Sequence, residues 1–346
     1  MKKDFDENMI INKEIDRPGI CYHSIDEEAF DIRGVFFEEG ALVRMPREVA
    51  ERVSPGIARR YVNNAGGRVR FVTDSPYVAV SAIINALDIF STITLVATTG
   101  MDVYADGDFC GAIIPDSSAT DLCVSGTVYM HTAGEHLIEI NLPLYSSVES
   151  LTIGIDESAV LKHAPEYSHS NPVVFYGSSI TNGAAASRPG MAYVSQLARK
   201  LDFDYVNLGF GGLCKAEEAM VNYIASLDMS VFVLDYDYNA PDAEYLERTH
   251  ENVYLTVRKN HPSVPIIMIS APVAVQTPRW KKRYEKIKLT YDNAVKSGDK
   301  NVYLINGGEF FDKIGYDYTV DGIHPNNLGF ALMAEKISKT LEKVLK

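Results

Sequence analysis

The stretch that decides the fold is PVVFYGSSITNG, residues 172–183. An unbroken apolar run from Val173 to Tyr176 stops at Gly177 and gives way at once to Ser178-Ser179. A half-exposed strand would alternate polar and apolar residues; this one does not, so it reads as a strand buried on both faces. The same signature recurs in DYVNLG (204–209), SVFVLD (230–235), VPIIMIS (264–270) and NVYLIN (301–306). Helical patterns separate these runs at 190–201, 215–227, 242–260 and 281–297, with a last one from 326 to the C-terminus. Five strand–helix units predict a flavodoxin-like, doubly wound, five-stranded parallel sheet of the α/β class.

Upstream of residue 165 the rhythm differs. GRVRFVTD and YVAVSAII flank a Ser-Pro step, TITLVATTG leads to MDVYADGD, and GTVYMHTAGE leads to HLIEINL and LTIGID. Short runs with period-two alternation, broken by Gly-rich turns, predict an N-terminal β-sandwich of jelly-roll-like form. The polar, two-proline segment KHAPEYSHSNP (162–172) reads as the linker. The chain of 346 residues therefore divides into residues 1–165 and 166–346.

Composition narrows the function. The net charge of −13, from 33 basic and 46 acidic residues, argues against nucleic acid and anionic membrane as partners. No apolar run has the length of a membrane helix, and MKKDFDENMI lacks the apolar core of a signal peptide. The four cysteines are scattered without metal-ligand spacing, as free thiols in the cytoplasm would be. Oligomeric state stays open.

In a doubly wound sheet, ligands bind beyond the carboxyl ends of the strands. The unexpected polar residues of this half fall there. Gly177-Ser178-Ser179 follows the first strand, GFGGLCK the second and DYDYNAP, with Asn239, the third. YTVDGIHPNNLG, with Asp321 and His324, comes after the fifth. Acyl transfer needs this set: a nucleophile, a base, an acid to orient the base, and donors for an oxyanion. Each element alone has a plainer reading, as a helix cap, a tight turn, or a histidine before a helix-starting proline. Their order at successive strand ends carries the inference. The other seven histidines (His23, His131, His136, His163, His169, His250 and His261) are read as structural or solvated.

YGSSITNG, NLGFGG, YDYNAP and DGIHPNNLG resemble, in order, the four sequence blocks of the SGNH (GDSL-type) hydrolase superfamily, over residues 170 to 346. TTGMDVYADG and LPLYSSVESLTIGID resemble the β-rich region that precedes the catalytic region in a bacterial branch of it, similar to carbohydrate esterases. The resemblance implies a serine esterase acting without metal or cofactor on acyl esters of small molecules or carbohydrates, and the small residues of TNGAAASRPG, GFGGLCK and YNAPDAE suit a short acyl group, O-acetyl above all. It makes Ser179 the nucleophile, His324 the base and Asp321 its orienting acid. The backbone N–H groups of Ser179 and Gly212 and the side-chain amide of Asn239 become the oxyanion donors. Two departures stand out: Ser178 replaces the usual Asp before the nucleophile, and the third block is reduced to Asp237-Tyr238-Asn239.

The rival α/β-hydrolase elbow, G-x-S-x-G, fails because Thr181 occupies the second glycine position, and acid and histidine are only three apart. Around the site, Arg188 is read either as a holder of a substrate oxygen or as the local partner of an acid. Tyr236 and Tyr238 flank the third block where they would stack on a sugar. Trp280, in TPRWKKRY, is read as a substrate rim or as a packed aromatic at a solvated helix start. Two other classes remain: an acyltransferase using the same residues, and a carbohydrate-binding protein with weak or no hydrolase activity.

Overall fold

The computed structural model describes residues 15–85, 88–116, 123–311 and 315–345. The reading of MKKDFDENMI falls on residues outside these.

Five parallel strands form the sheet of the C-terminal half: β1 (His169–Gly177), β2 (Phe203–Gly209), β3 (Val231–Asp235), β4 (Ile266–Ile269) and β5 (Val302–Ile305). Their order is β2-β1-β3-β4-β5, the flavodoxin-like arrangement, so the chain reverses its winding between β1 and β3. Alternation divides the apolar side chains between the two faces. Val174, Tyr176, Phe232, Leu234, Ile266 and Met268 enter one core. Val173, Phe175, Val231, Val233, Ile267 and Ile269 enter the other. This is why the runs are continuously apolar. Helices Tyr193–Leu201 and Asn327–Val344 cover the second face with Val194, Leu197, Phe330, Met333, Ile337 and Leu341. Gly177 pairs in register with Gly209 on one side and with Asp235 on the other, so three strands end at one level.

The N-terminal half is built on two antiparallel sheets. One has four strands, Ile20–Ser24, Ser147–Asp156, Tyr77–Asn85 and Cys123–Tyr129 in spatial order. The other has six and centres on Arg68–Thr73, His136–Asn141 and Met101–Ala105. Val78, Val80, Ile153 and Val128 from the first face Val69, Phe71, Ile138 and Val103 from the second in one core, the layering of a sandwich.

Two expectations for this half need correcting. TITLVATTG is not a strand: Leu95–Thr99 is a helix, with the Thr94 hydroxyl accepting from the Ala97 N–H at 3.1 Å. Thr98 and Thr99 return their hydroxyls to the carbonyls of Thr94 and Leu95, so the threonines that suggested a strand close a helical turn instead. Two further helices, Arg47–Val53 and Pro55–Arg60, lie where only β structure was expected. Their apolar side chains Ala50, Val53 and Ile57, with Val43 and Met45, pack into the core of the parallel sheet beside Val174, Leu208 and Met220. An N-terminal segment thus covers part of the C-terminal sheet.

The linker is also less free than its composition implies. Its two ends are taken up by strands, Leu161–His163 and His169–Gly177. Between them Tyr167 is buried under the guanidinium of Arg70, 3.7 Å from its ring centre. All four cysteines are free thiols. Among the described residues, no helix is long and apolar enough to cross a membrane.

Candidate active site

Gly177 permits the first step of the site. A Cβ there would lie 1.9 Å from Thr181 Oγ1 and 2.6 Å from the Asp235 carbonyl, so only glycine lets β1 turn straight into the helix Ser179–Asn182. Ser178 caps that short helix, its Oγ accepting from the Ile180 N–H at 3.1 Å. The residue that departs from the first sequence block thus has a local structural use. Ser179, the first helical residue, lines a cavity at the carboxyl ends of the strands.

His324 reaches Ser179 from the loop before the last helix, with Nε2 2.9 Å from Oγ. Its Nδ1 lies 2.6 Å from Asp321 Oδ2. The other carboxylate oxygen, Oδ1, accepts the backbone N–H groups of His324 (2.8 Å) and Ile323 (3.0 Å). Burial pushes the Asp321 carboxyl up, but these bonds and the imidazole outweigh it and hold the group below its ordinary value. An ionised Asp321 keeps the proton of the neutral ring on Nδ1 and leaves Nε2 free to accept from the serine.

Asn239 stands on the turn Asp237–Asn239 after β3. Its Oδ1 accepts the Cys214 N–H at 3.1 Å, which leaves the amide nitrogen as the free end. Gly212 follows β2 with φ +75°, and a Cβ there would meet nothing within 4 Å. Ser179, His324, Asn239, Gly212 and Tyr238 line one cavity of 320 Å³. A larger groove, 580 Å³, runs between the helices Arg47–Val53 and Glu218–Ser226 and contains none of these residues.

The remaining expectations are not met in the same way. Arg188 is turned from the cavity onto the N-terminal half. It donates to Asp102 Oδ2 at 2.9 Å and to the Tyr104 hydroxyl, with its guanidinium 3.6 Å from the Phe109 ring centre. Of its two readings, the local acid partner is the one observed. Tyr236 is buried, bonded to Thr249 at 2.7 Å and stacked on His250, so no sugar can reach it. Trp280 packs on Tyr238 with ring centres 5.0 Å apart and supports that wall from behind. His250, buried and pushed down to about 3, is a core histidine.

Sequence reasoning missed the opposite wall. Arg60, Phe90, Ile93 and Tyr145, all from the N-terminal half, close the cavity over the serine. Tyr145 lies within LPLYSS, which carried a family resemblance but no assigned role. It also missed a buried carboxyl beneath the turn that carries Ser179. Asp235 Oδ2 accepts from the hydroxyls of Thr181 and Tyr193, each at 2.9 Å. Burial pushes Asp235 up to about 7 against the lowering effect of those two bonds. Among the described residues, no group of three or more His, Cys, Asp or Glu is placed to hold a metal ion.

Residues 170–342 match the model of the GDSL-like lipase/acylhydrolase family, and residues 20–161 that of the N-terminus of SGNH-hydrolase-type esterases. Among solved structures, one described as a GDSL-like lipase from Bacteroides ovatus is 29% identical, with a TM-score of 0.82 over 94% of this chain and 98% of that one. The salicylyl-acyltransferase SsfX3 of a tetracycline biosynthetic pathway is 21% identical, with a TM-score of 0.77 over 95% and 99%. A family two carbohydrate esterase from Cellvibrio japonicus is 12% identical, with a TM-score of 0.63 over 94% and 98%. The last two likenesses are of fold alone. A search of curated proteins gave no match.

Proposed function

The chain belongs to the GDSL-like lipase/acylhydrolase family and is a carboxylic-ester hydrolase, and from that premise we propose that it cleaves short O-acyl esters, chiefly O-acetyl, of carbohydrate-like alcohols. In this reading residues 166–346 supply the reacting groups and residues 1–165 close the substrate cavity. The observation that carries it is the hydrogen-bonded line Ser179–His324–Asp321, with separations of 2.9 and 2.6 Å, along one side of the 320 Å³ cavity.

Ser179 attacks the ester carbonyl as His324 Nε2 takes its proton, and Asp321 steadies the imidazolium that forms. The carbonyl oxygen, now anionic, accepts from the N–H groups of Ser179 and Gly212 and from the Asn239 amide. Collapse expels the alcohol with the proton from His324. A water deprotonated by the same nitrogen then frees the acyl group and regenerates Ser179.

Size supports the short acyl group. The cavity is at the small end of the range for ligand pockets, about 300 to 1,000 Å³, and Ala184 and Tyr145 close it near the serine. Sugar esters agree with a fold shared with carbohydrate esterases and with Tyr238 on the wall. Phe90 and Ile93 favour a second reading, acyl transfer to an alcohol, because an apolar mouth disfavours water beside the acyl-enzyme.

The test is kcat/KM along 4-nitrophenyl esters from acetate to decanoate and on acetylated sugars, with product analysis in the presence of an acceptor sugar. Acetate is expected to be best, Ser179→Ala inactive with unchanged unfolding, and Ser178→Ala only mildly impaired. A maximum at about eight or more acyl carbons refutes the short-acyl reading. Acyl-sugar as the main product with acceptor present makes the protein a transferase.

A further inference from the structure

Arg60 ends a helix of the N-terminal half, yet its guanidinium lies beside the nucleophile turn. Nη1 donates to the Gly211 carbonyl at 2.8 Å, and Nε is 2.8 Å from Asp88 Oδ2. A Cβ on Gly211 would lie 3.3 Å from Ser179 Cβ and 3.8 Å from Arg60 Nη1, so the bonded carbonyl belongs to a turn that touches the serine.

That turn is residues 210–213, closed by the Leu213 N–H on the Phe210 carbonyl at 3.0 Å. Gly212 has φ +75° and Gly211 does not have a positive φ, the combination of a type II turn. Types I and II differ by a flip of the central peptide, here the one joining Gly211 to Gly212. Two glycines at the central positions allow either form at little steric cost, so their own conformational preferences do not choose. In a trans peptide the carbonyl and the N–H point in opposite directions. Whatever holds the Gly211 carbonyl therefore also aims the Gly212 N–H.

We propose that Arg60 is a positioning residue: by clamping the Gly211 carbonyl it selects the turn form in which the Gly212 N–H faces the developing oxyanion. The proposal rests on the assignment of Gly212 as an oxyanion donor. The positive charge on the carbonyl also polarises the same peptide, which makes its N–H a stronger donor. Asp88 braces the clamp. Its carboxylate, 8% exposed, holds Arg60 through Nε and pairs with Arg59 at 2.6 Å. The N-terminal half thus reaches the oxyanion through one side chain and one peptide plane.

A neutral substrate, 4-nitrophenyl acetate, separates aiming from binding because it gives the guanidinium no anion to hold. With rates normalised to active sites by burst titration, Arg60→Met is expected to lower kcat about 10- to 100-fold, with KM changed less than about twofold. Arg60→Lys should recover part of the loss, and Asp88→Asn should show a smaller loss in the same direction. Affinity for a small alkylboronic acid, a tetrahedral mimic, should fall in proportion to kcat across the series. An unchanged kcat, with Ser179→Ala inactive, overturns the clamp and leaves the esterase reading standing. A loss confined to KM makes Arg60 a substrate contact and also overturns it. Full activity of Ser179→Ala instead overturns the reading beneath it. Should Arg60→Met fail to fold, the lysine and Asp88→Asn variants decide: normal kcat in both refutes the proposal.

Discussion

Arg283 and Asp237 face each other beneath the turn that carries Asn239, Nε to Oδ1 at 2.7 Å, each only 1% exposed. The guanidinium also donates to the carbonyls of Asp237 and, at 2.9 Å, Ala240, while Asp237 Oδ2 accepts the Ala271 N–H at 2.8 Å. Both ends of the turn Asp237–Asn239 are therefore tied to one side chain from the helix Pro278–Lys296. The third sequence block, reduced as it is, keeps an acid whose work is internal.

Removing one member of such a pair leaves an uncompensated buried charge, which costs about 3–5 kcal/mol. Arg283→Ala is expected to destabilise the protein by that amount in urea unfolding. In the protein that remains folded, kcat should fall because Asn239 loses its support. Adding Asp237→Ala should restore part of the stability, since the two changes share one interaction. Strict additivity would show that the pair is not coupled.

Asn239 lends itself to a chemical test of direction. Its oxygen is engaged by the Cys214 N–H, so the free nitrogen is the donor the cavity has to offer. Asn239→Ala is expected to lower kcat about 10²- to 10³-fold with KM little changed. Asn239→Asp preserves the acceptor for Cys214 but turns an anion toward a developing anion, and should be slower than alanine. If the two variants were equal, the amide would not be facing the oxyanion.

Asp235 gives a pH signature of stability. Its pKa is raised by burial from the ordinary carboxylate value to about 7, so between those limits the folded protein holds a proton that the unfolded chain has released. Stability from this group is thus greatest at low pH and declines as pH rises toward about 7. Burial shifts Asp237 and Asp102 the same way, so the readout is the difference between wild type and Asp235→Asn. The expected result is a shallower fall in Tm from pH 5 to 8 in the variant. Parallel curves would show that Asp235 stays ionised in the fold.

The parallel sheet was legible because strands buried on both faces must be continuously apolar, and the residues drawn together at their ends because chemistry there demands polar types in a fixed order. Ser179, Asp321, His324 and Asn239 could each be located by rank after a strand. The opposite wall could not. Phe90 and Ile93 are ordinary apolar residues in a loop, and Arg60 closes a helix whose partner lies about 150 residues further on, at Gly211. Nothing in a local pattern encodes such a meeting. TITLVATTG misled for a different reason: β-branched residues favour strands on average, but threonine hydroxyls also satisfy the backbone of a short helix. Arg188 and Tyr236 sit near the motifs in sequence, and it is the side to which each chain element turns that takes them from the cavity.

The helices Arg47–Val53 and Pro55–Arg60 bear on how such a gene can be inherited. Recombination shuffles pieces whose interiors are self-contained, and this catalytic sheet is not. A fragment beginning near residue 166 would encode strands whose Val174 and Leu208 lack the cover of Val53 and Ile57, exposing an adhesive apolar surface in place of a core. It would also arrive without Arg60, Phe90 and Tyr145, and so with half of the wall around Ser179. The seam drawn by composition and the seam drawn by packing lie in different places, so a cut at the first would pass through a core that both halves share.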